Sequence, residues 1–276
     1  MTKLKTIMGS KATSSAFGFI SAIFMLVPED VFVSLRFIPC SWSETVCLIV
    51  NRLIVCLIVL SVFHVVYYCY RKHRKSVIIS ERTFSIKIEY GDLLNVQGGK
   101  KVINFDECFN TTIGERPGDI KEGSVCGQYL KRYPLTNKGM GDLIIASGAK
   151  PIGKSQYMGK PKYIPGTIIP LGDFLLMAFT ELNEDGLGVM TYEKYLNCLD
   201  ELWKQIDKHH GTSDVYLPIL GSNIVRFDKE LTQQELLDIM ISSYRLSSHK
   251  LKKSRVLHIV CCERDGFSLN HIFGVD

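Results

Sequence analysis

Apolar side chains dominate two stretches near the start of the chain and alternate with polar ones only further along. The clearer stretch lies within residues 47–70, because between 53 and 70 only Ser61 and His64 are polar. A run of about 20 apolar residues is long enough to cross a bilayer as a helix. The run ends in tyrosines and the basic block 71–75, a boundary typical of the cytoplasmic side of a membrane helix. The pattern therefore predicts a transmembrane helix.

The first apolar stretch, Ala16–Val27, has twelve residues, too few to cross a bilayer as a helix. A span would have to continue to residue 38 and bury Glu29 and Asp30, or the segment would pair with its neighbour. A cleaved signal peptide is the alternative, because lysines precede a short apolar core, although no small-residue cleavage site follows.

We interpret residues 1–75 as a membrane region, a transmembrane helical hairpin with apolar segments at about 16–38 and 47–70. Basic residues stand at both ends, so both ends are expected in the cytoplasm. His64 is expected to face a neighbouring helix or to reach the boundary rather than to line a pore. Residues 80–276 then form a cytoplasmic domain.

The pattern after residue 80 predicts strands and helices in alternation. Short apolar runs bounded by turn residues predict seven strands, namely SIKIEYGD, KKVINF, DLIIAS, GTIIPL, DFLLMAFT, VYLPIL and RVLHIVCC. Thr191–His210 places its apolar side chains on one helical stripe, and a second helix begins with the capping box Thr232-x-x-Glu235. This order predicts an α/β fold, a mixed sheet flanked by helices.

Charge and cysteine usage exclude two classes of function. Residues 1–75 contain nine Lys or Arg against three acidic residues, so this region carries +6 and the remaining residues sum to −1 of the net charge of +5. The near-neutral remainder argues against nucleic acid as a partner, because nucleic-acid-binding domains carry a basic excess. The nine cysteines include no C-x-x-C pair, which indicates buried thiols in a reducing compartment and no structural metal.

Polar residues at the ends of three predicted strands are candidate ligand groups, because α/β sheets bind ligands at the carboxyl ends of strands. They are Gly91-Asp92, Asn104–Asp106 and Gly221–Asn223. The Gly-Ser-Asn turn is suited to aim successive N–H groups at a phosphate, with Arg226 adding charged donors and Phe227 a ring face. The pattern favours a phosphate-bearing nucleotide, and an ordinary strand-to-loop turn is the alternative.

Three segments, GDLLN, VINFDECFN and PILGSNIVRF, resemble the ligand loops of the macro domain, the ADP-ribose-binding fold. Residues 85–262 as a whole look more like the macro-like domain of the ThsA membrane effectors of type II Thoeris anti-phage defence. Further matching features are YGD, the Gly123-Ser124 to Gln128 segment, GTIIPLGDFLLMAFT, CLDELWKQID, the TQQELL helix and the apolar N-terminal segments. The resemblance implies a macro-domain-like sheet after a membrane hairpin in a bacterial inner membrane.

The function that this resemblance implies is that of a sensor in antiviral, abortive-infection defence. A TIR-domain partner would consume NAD and make an ADP-ribose derivative, the histidine adduct. The macro-like domain would bind it as a signalling ligand, with no cofactor and no metal. Binding would promote homo-oligomerisation and disruption of the lipid membrane.

The resemblance also assigns ligand-binding residues. Asp92 and the Leu93 backbone would hold adenine, Asn104 and its neighbours the ribose, and the turn at 221–224 the diphosphate, with Phe227 near the distal end. The full set is Gly91, Asp92, Leu93, Asn104, Phe105, Asp106, Ser124, Leu220, Gly221, Ser222, Asn223, Ile224, Arg226 and Phe227. The Asn-rich second loop of ordinary macro domains is replaced here, and its glycine-rich continuation is absent, which weakens a hydrolase assignment.

Two alternatives stay open beside the sensor. A membrane-anchored macro-domain enzyme acting on ADP-ribose derivatives would need a base or nucleophile from Ser222, Asp106, Glu107 or His258, and these form no recognisable triad. A membrane-anchored scaffold without a ligand is the other. The lysine-containing stretch 148–162 is expected to be a lid or contact surface, or simply a mobile loop.

Overall fold

The computed structural model describes residues 11–35, 37, 43–222, 225–264 and 266–272. The chain divides into two compact units that meet in sequence between Arg74 and Lys75.

The N-terminal unit consists of α1 (Lys11–Leu26), α2 (Glu29–Ser34) and α3 (Glu44–Lys72). In the described part of the chain, α3 is the one helix long and apolar enough to cross a membrane. The first predicted span is not a single helix, since it breaks at Pro28 into the 16-residue α1 and the 6-residue α2. Proline lacks the N–H that continues a helix, and the acidic residues after it begin a new one. A second membrane crossing is therefore not shown.

Polar side chains of α3 hold α1 and α2 against it. Asn51 is buried, and its Nδ2 donates to the carbonyl oxygens of Phe32 (2.8 Å) and Leu35 (2.7 Å) at the end of α2. These bonds satisfy carbonyls that the short helix leaves without a partner. His64 Nε2 lies 3.5 Å from Thr13 Oγ1 on α1, so this histidine faces a neighbouring helix.

The C-terminal unit contains the sheet and its helices. Its strands are β1 (Ser76–Ser80), β2 (Ser85–Tyr90), β3 (Lys100–Asp106), β4 (Gly153–Lys154), β5 (Pro161–Lys162), β6 (Ile168–Leu171), β7 (Phe174–Leu182), β8 (Gly188–Met190), β9 (Val215–Pro218), β10 (Arg226–Phe227) and β11 (Val256–Cys261). Its α-helices are α4 (Val125–Arg132), α5 (Asn137–Ser147), α6 (Tyr192–His209) and α7 (Gln233–Leu246). Short 3-10 helices span Leu93–Asn95 and Leu269–His271.

The main sheet is mixed, with the order β1-β2-β11-β9-β3-β7-β8-β10 and β6 beside β7. The strands β2, β11, β9, β3 and β7 are parallel neighbours, β1 runs antiparallel to β2, and β6 and β8 run antiparallel to β7. The short β10 is parallel to β8. β4 and β5 form a separate antiparallel hairpin. The predicted α/β class with a mixed sheet is confirmed, and β1 is a strand that the hydrophobic pattern did not reveal.

Helices cover both faces of this sheet. One buried cluster joins α6 and α7 to the inward residues of β2, β9 and β11, with Trp203 and Tyr244 at its centre. The other joins α4 and α5 to β3 and β7, around Phe105 and Tyr129. Both predicted C-terminal helices are confirmed, and the capping box between Thr232 and Glu235 is formed.

One predicted strand is wrong. DLIIAS, residues 142–147, lies in the helix α5. Thr136 caps its first turn by accepting from Gly139 N–H, and Gly148 ends it in the left-handed conformation at φ 73°. These two caps lie outside the apolar run and override its preference for a strand.

Candidate functional site

The parallel strands end at one edge of the sheet, and a cavity of about 420 Å³ opens there. It is lined by the ends of β3, β7 and β9, by the loop 115–121 and by the start of α4. Of the predicted ligand-binding residues, those that line it are Asn104, Phe105, Asp106, Ser124, Gly221, Ser222 and Arg226. Three strand ends and a helix start that are distant in sequence therefore meet at one pocket of nucleotide size.

Asp106 is a buried carboxyl group in the wall of this cavity. Its Oδ1 accepts from the N–H groups of Cys108 (2.8 Å) and Asn110 (3.1 Å), and this tight turn holds Phe109 at φ 53°. Its Oδ2 has no hydrogen-bond partner among the described residues. Burial raises the pKa of Asp106 to about 6, opposed by the two N–H groups and the positive charge of Lys160. The site thus holds one carboxylate oxygen that accepts no hydrogen bond from the described part of the chain.

The neighbouring carboxylate, Glu107, has a structural role. Its Oε1 accepts from Ser155 Oγ (2.5 Å) and from Leu182 N–H (3.2 Å), and its Oε2 lies 3.9 Å from Lys162 Nζ. A buried charge with several partners is stabilised where it stands and is poorly placed to exchange protons with a ligand. Glu107 thereby ties the β4–β5 hairpin to the ends of β3 and β7.

The loop 115–121 forms a wall that sequence reasoning did not assign. Asn110 Nδ2 donates to Gly118 O (2.7 Å), and Tyr157 Oη donates to Pro117 O (2.7 Å). Arg116 and Lys121 bring positive charge to the lining, and Glu115 and Asp119 of the same loop bring negative charge. The Pro117-Gly118-Asp119 sequence is a turn signal, but nothing local to it indicates that the turn folds over the end of β3.

The start of α4 supplies backbone donors. Ser124 caps this helix, its Oγ accepting from Gly127 N–H at 3.0 Å, and Val125 and Cys126 line the cavity beside it. Gly127 allows the preceding loop to approach, because a Cβ there would lie 2.3 Å from Lys121 O. The positive end of a helix favours an anion at this point.

The Gly221-Ser222 turn faces the same cavity. Gly221 has φ 83°, and a Cβ on it would lie 2.7 Å from Phe227 Cζ, so a side chain is excluded both by conformation and by space. Ser222 Oγ donates to Ile219 O (3.0 Å), and Arg264 donates to Ser222 O (3.1 Å). Asn223 and Ile224, predicted to complete the turn, lie outside the described residues.

The remaining predicted residues near this turn are placed differently. Arg226 is exposed and lines the main cavity. Phe227 lines a smaller cavity of about 280 Å³ next to it and packs edge-on against Tyr195, with ring centres 5.4 Å apart. Leu220 is fully buried, and its carbonyl accepts from Tyr195 Oη at 3.2 Å.

The first predicted loop does not line the cavity. Asp92 caps the 3-10 helix that follows it, accepting from Leu94 N–H (2.9 Å) and Asn95 Nδ2 (2.7 Å). Leu93 is buried in the core, and Gly91 N–H donates to Cys261 O. The structure brings the second and third predicted loops together and leaves Gly91, Asp92 and Leu93 outside the lining.

Two thiols near Asp106 are held in the protonated form, that of Cys126 in the cavity lining and that of Cys108 outside it. Burial raises the pKa of Cys108 to about 11, with the charge of Asp106 adding to the effect. Burial also raises the pKa of Cys126 well above its usual value. The thiolate is the nucleophilic form, so neither cysteine is activated for covalent chemistry. His258 does not line the cavity. It stacks on Tyr216 and forms a 2.7 Å hydrogen bond with Glu89.

Comparison with known proteins gives a consistent result. Residues 86–262 match the family model described as "Thoeris protein ThsA, Macro domain". The Thoeris protein ThsA of Bacillus amyloliquefaciens is 27% identical over 194 residues, which cover 67% of this chain and 65% of that protein. The chain thus spans just under two thirds of the length of that curated relative.

Among solved structures, a mutant macrodomain of Oceanobacillus iheyensis superposes with a TM-score of 0.45 at 9% identity, covering 69% of this chain and 91% of that one. A different mutant of the Oceanobacillus iheyensis macrodomain, with ADPR, gives a TM-score of 0.40 at 9% identity, covering 68% of this chain and 91% of that one.

Proposed function

Because the chain belongs to the family of Thoeris ThsA macro domains, we propose that it is a ligand-gated membrane effector of bacterial anti-phage defence. In this proposal the C-terminal unit binds an ADP-ribose derivative made from NAD by a TIR-domain partner, the histidine adduct being the expected species. Binding promotes homo-oligomerisation, and the N-terminal unit then disrupts the inner membrane. Nucleic acid has no part in it.

The observation that supports the proposal is that groups suited to a diphosphate and a buried carboxyl group line one cavity. Arg116, Lys121 and Arg226 line it with the start of α4 and the Gly221-Ser222 turn, and the acidic Glu115 and Asp119 line it as well. Guanidinium groups, helix starts and glycine turns are the usual partners of a diphosphate. These groups support the binding of an anionic ligand without a metal ion.

The lining also contains Asp106. An ionised carboxylate accepts hydrogen bonds only, so its second oxygen disfavours phosphate and favours a hydroxyl or N–H group of the ligand. Because Oδ2 is enclosed in the cavity wall, contact with it requires the turn 106–110 to shift, and binding then reshapes this loop. ADP-ribose, with a diphosphate between hydroxyl-bearing sugars, has both kinds of group.

One observation favours the alternative enzyme, since the raised pKa of Asp106 lies in the range of a general acid or base. Acid–base work at an ADP-ribose linkage also needs a second group or an activated nucleophile. Glu107 is engaged with Ser155, and the thiols of Cys108 and Cys126 are protonated. The arrangement therefore supports a sensor that releases its ligand unchanged.

Calorimetric titration of the full chain in detergent tests the proposal, with ADP-ribose, its histidine adduct, NAD and a cyclic adenylate as ligands. Chromatography of the recovered ligand follows each titration. Tight binding of an ADP-ribose species that is recovered intact is the expected result. Turnover of the ligand would establish the enzyme instead, and no binding by any of them would support the scaffold without a ligand.

A further inference from the structure

The segment between α5 and β6 carries an unusual concentration of positive charge. From residue 143 to residue 172 the sequence contains four lysines, at 150, 154, 160 and 162, and no Asp or Glu. The rest of residues 76–276 carries a net charge of −5. We call residues 150–164, which include the β4–β5 pair, the lysine hairpin.

Large apolar side chains are exposed on the same hairpin. Met158 is 71% exposed, Ile152 is 54% exposed and Ile164 is 47% exposed. Lys150 and Lys154 are exposed beside them. Exposed apolar side chains set among lysines, with no acidic residue nearby in sequence, are typical of surfaces that meet anionic lipid.

The hairpin is held rigidly to the body. Buried Ser155 donates to Glu107, and Tyr157 donates to Pro117 while its ring packs against Gly118 and Gly186. Met158 follows at φ 57°, a conformation that costs free energy for a side chain of its size. The fold therefore keeps Met158 exposed at the tip at some cost.

The hairpin lies at the carboxyl edge of the sheet, because its anchors are Glu107 after β3 and the turn after β7. The chain enters the sheet at this same edge. β1 runs antiparallel to β2, its first residue Ser76 pairs with Glu89, and Lys75 O accepts from Tyr90 N–H at 3.1 Å. In sequence, residues 73–75 separate this point from the apolar helix α3.

We propose that the lysine hairpin docks on the anionic surface of the bilayer that α3 crosses. The apolar tip would enter the headgroup layer, and Lys150 and Lys154 would contact lipid phosphates. Each lysine near an anionic surface contributes about fivefold to binding, so this pair contributes about thirtyfold. The proposal rests on the membrane location proposed above but not on the identity of the ligand.

Hydrogen exchange of the full chain in lipid nanodiscs tests it, comparing phosphatidylcholine alone with phosphatidylcholine containing phosphatidylglycerol. We expect slower exchange across residues 150–164 in the anionic discs, and loss of that protection at high salt. The double variant Lys150→Glu/Lys154→Glu should lose it too. The matched control, Lys252→Glu/Lys253→Glu, reverses two exposed lysines in the turn before β11, at the opposite edge, and should keep it.

Unchanged exchange of β3 and β7 peptides in both variants establishes that they fold. Equal protection in both lipid compositions would overturn the proposal. Protection that grows with the number of chains per disc would replace lipid with a second copy of the chain as the partner. A chain that does not co-purify with discs would overturn the membrane location, and this proposal with it.

Discussion

Replacing Asp106 by Asn tests the electrostatic account of the cavity most sharply. The substitution keeps the shape of the side chain and leaves Oδ1 to accept from Cys108 and Asn110. It removes the charge from the oxygen that has no partner among the described residues. Asp106→Asn should therefore leave the fold intact while changing how stability depends on pH.

The magnitude follows from the pKa, which burial raises from 3.8 to about 6. A folded-state pKa above the unfolded value means that the native state binds the proton more tightly, so stability falls as pH rises from about 4 to about 6. Ionisation of the buried side chain lowers the free energy of unfolding by about 3 kcal/mol in total. About 2 kcal/mol of this decrease falls between about pH 4.5 and about pH 8. Asn does not ionise, so the free energy of unfolding of the variant does not decrease in this way.

The assay measures unfolding of the ligand-free full chain in detergent at several pH values across this range. Circular dichroism monitors the unfolding transition. We expect the difference in free energy of unfolding between variant and wild type to grow by about 2 kcal/mol from about pH 4.5 to about pH 8. Glu115→Gln, which removes a charge from the exposed rim of the cavity, is the control for a general effect of charge. A constant difference for Asp106→Asn, or one that shrinks as pH rises, would refute the reasoning.

Three further results are expected. Gly221→Val forces a side chain into the left-handed turn and should weaken ADP-ribose binding at least about 100-fold by calorimetry, whereas Gly123→Ala, with nothing within 4 Å of its Cβ, should bind normally. Ser155→Ala removes a hydrogen bond from buried Glu107 and should lower the free energy of unfolding by about 2 kcal/mol in denaturant titration; an unchanged midpoint would show that this bond is not needed. Binding of ADP-ribose should strengthen as pH rises from about 5.5 to about 7.5, because a donor on the ligand favours ionised Asp106, and the opposite trend would indicate that the carboxyl group donates to phosphate.

The sequence predicted elements whose signals are local. The stripe of α6, the capping box of α7 and the apolar run of α3 each lie within one segment, and each appears in the structure. DLIIAS failed because its caps, Thr136 and Gly148, lie outside the apolar run that was interpreted as a strand. The helix caps a few residues away outweighed the preference of the apolar run for a strand.

The candidate site was predictable only in part. Strand ends at Asn104–Asp106 and Gly221-Ser222 meet because parallel strands share an edge, which the fold class implies. The raised pKa of Asp106 and the position of loop 115–121 depend on contacts between distant segments, such as the hydrogen bond from Tyr157 to Pro117. No pattern within either segment contains that information. The same limit applies to Glu107, whose structural role depends on Ser155 far along the chain.

The central claim is that ligand binding to the C-terminal unit activates the membrane unit. Release of a dye from liposomes that contain the full chain tests it directly, with and without the histidine adduct of ADP-ribose. The account predicts release only when this ligand is present, and none from Gly221→Val under the same conditions. Equal release without ligand, or ligand binding by calorimetry with no release at all, would contradict it.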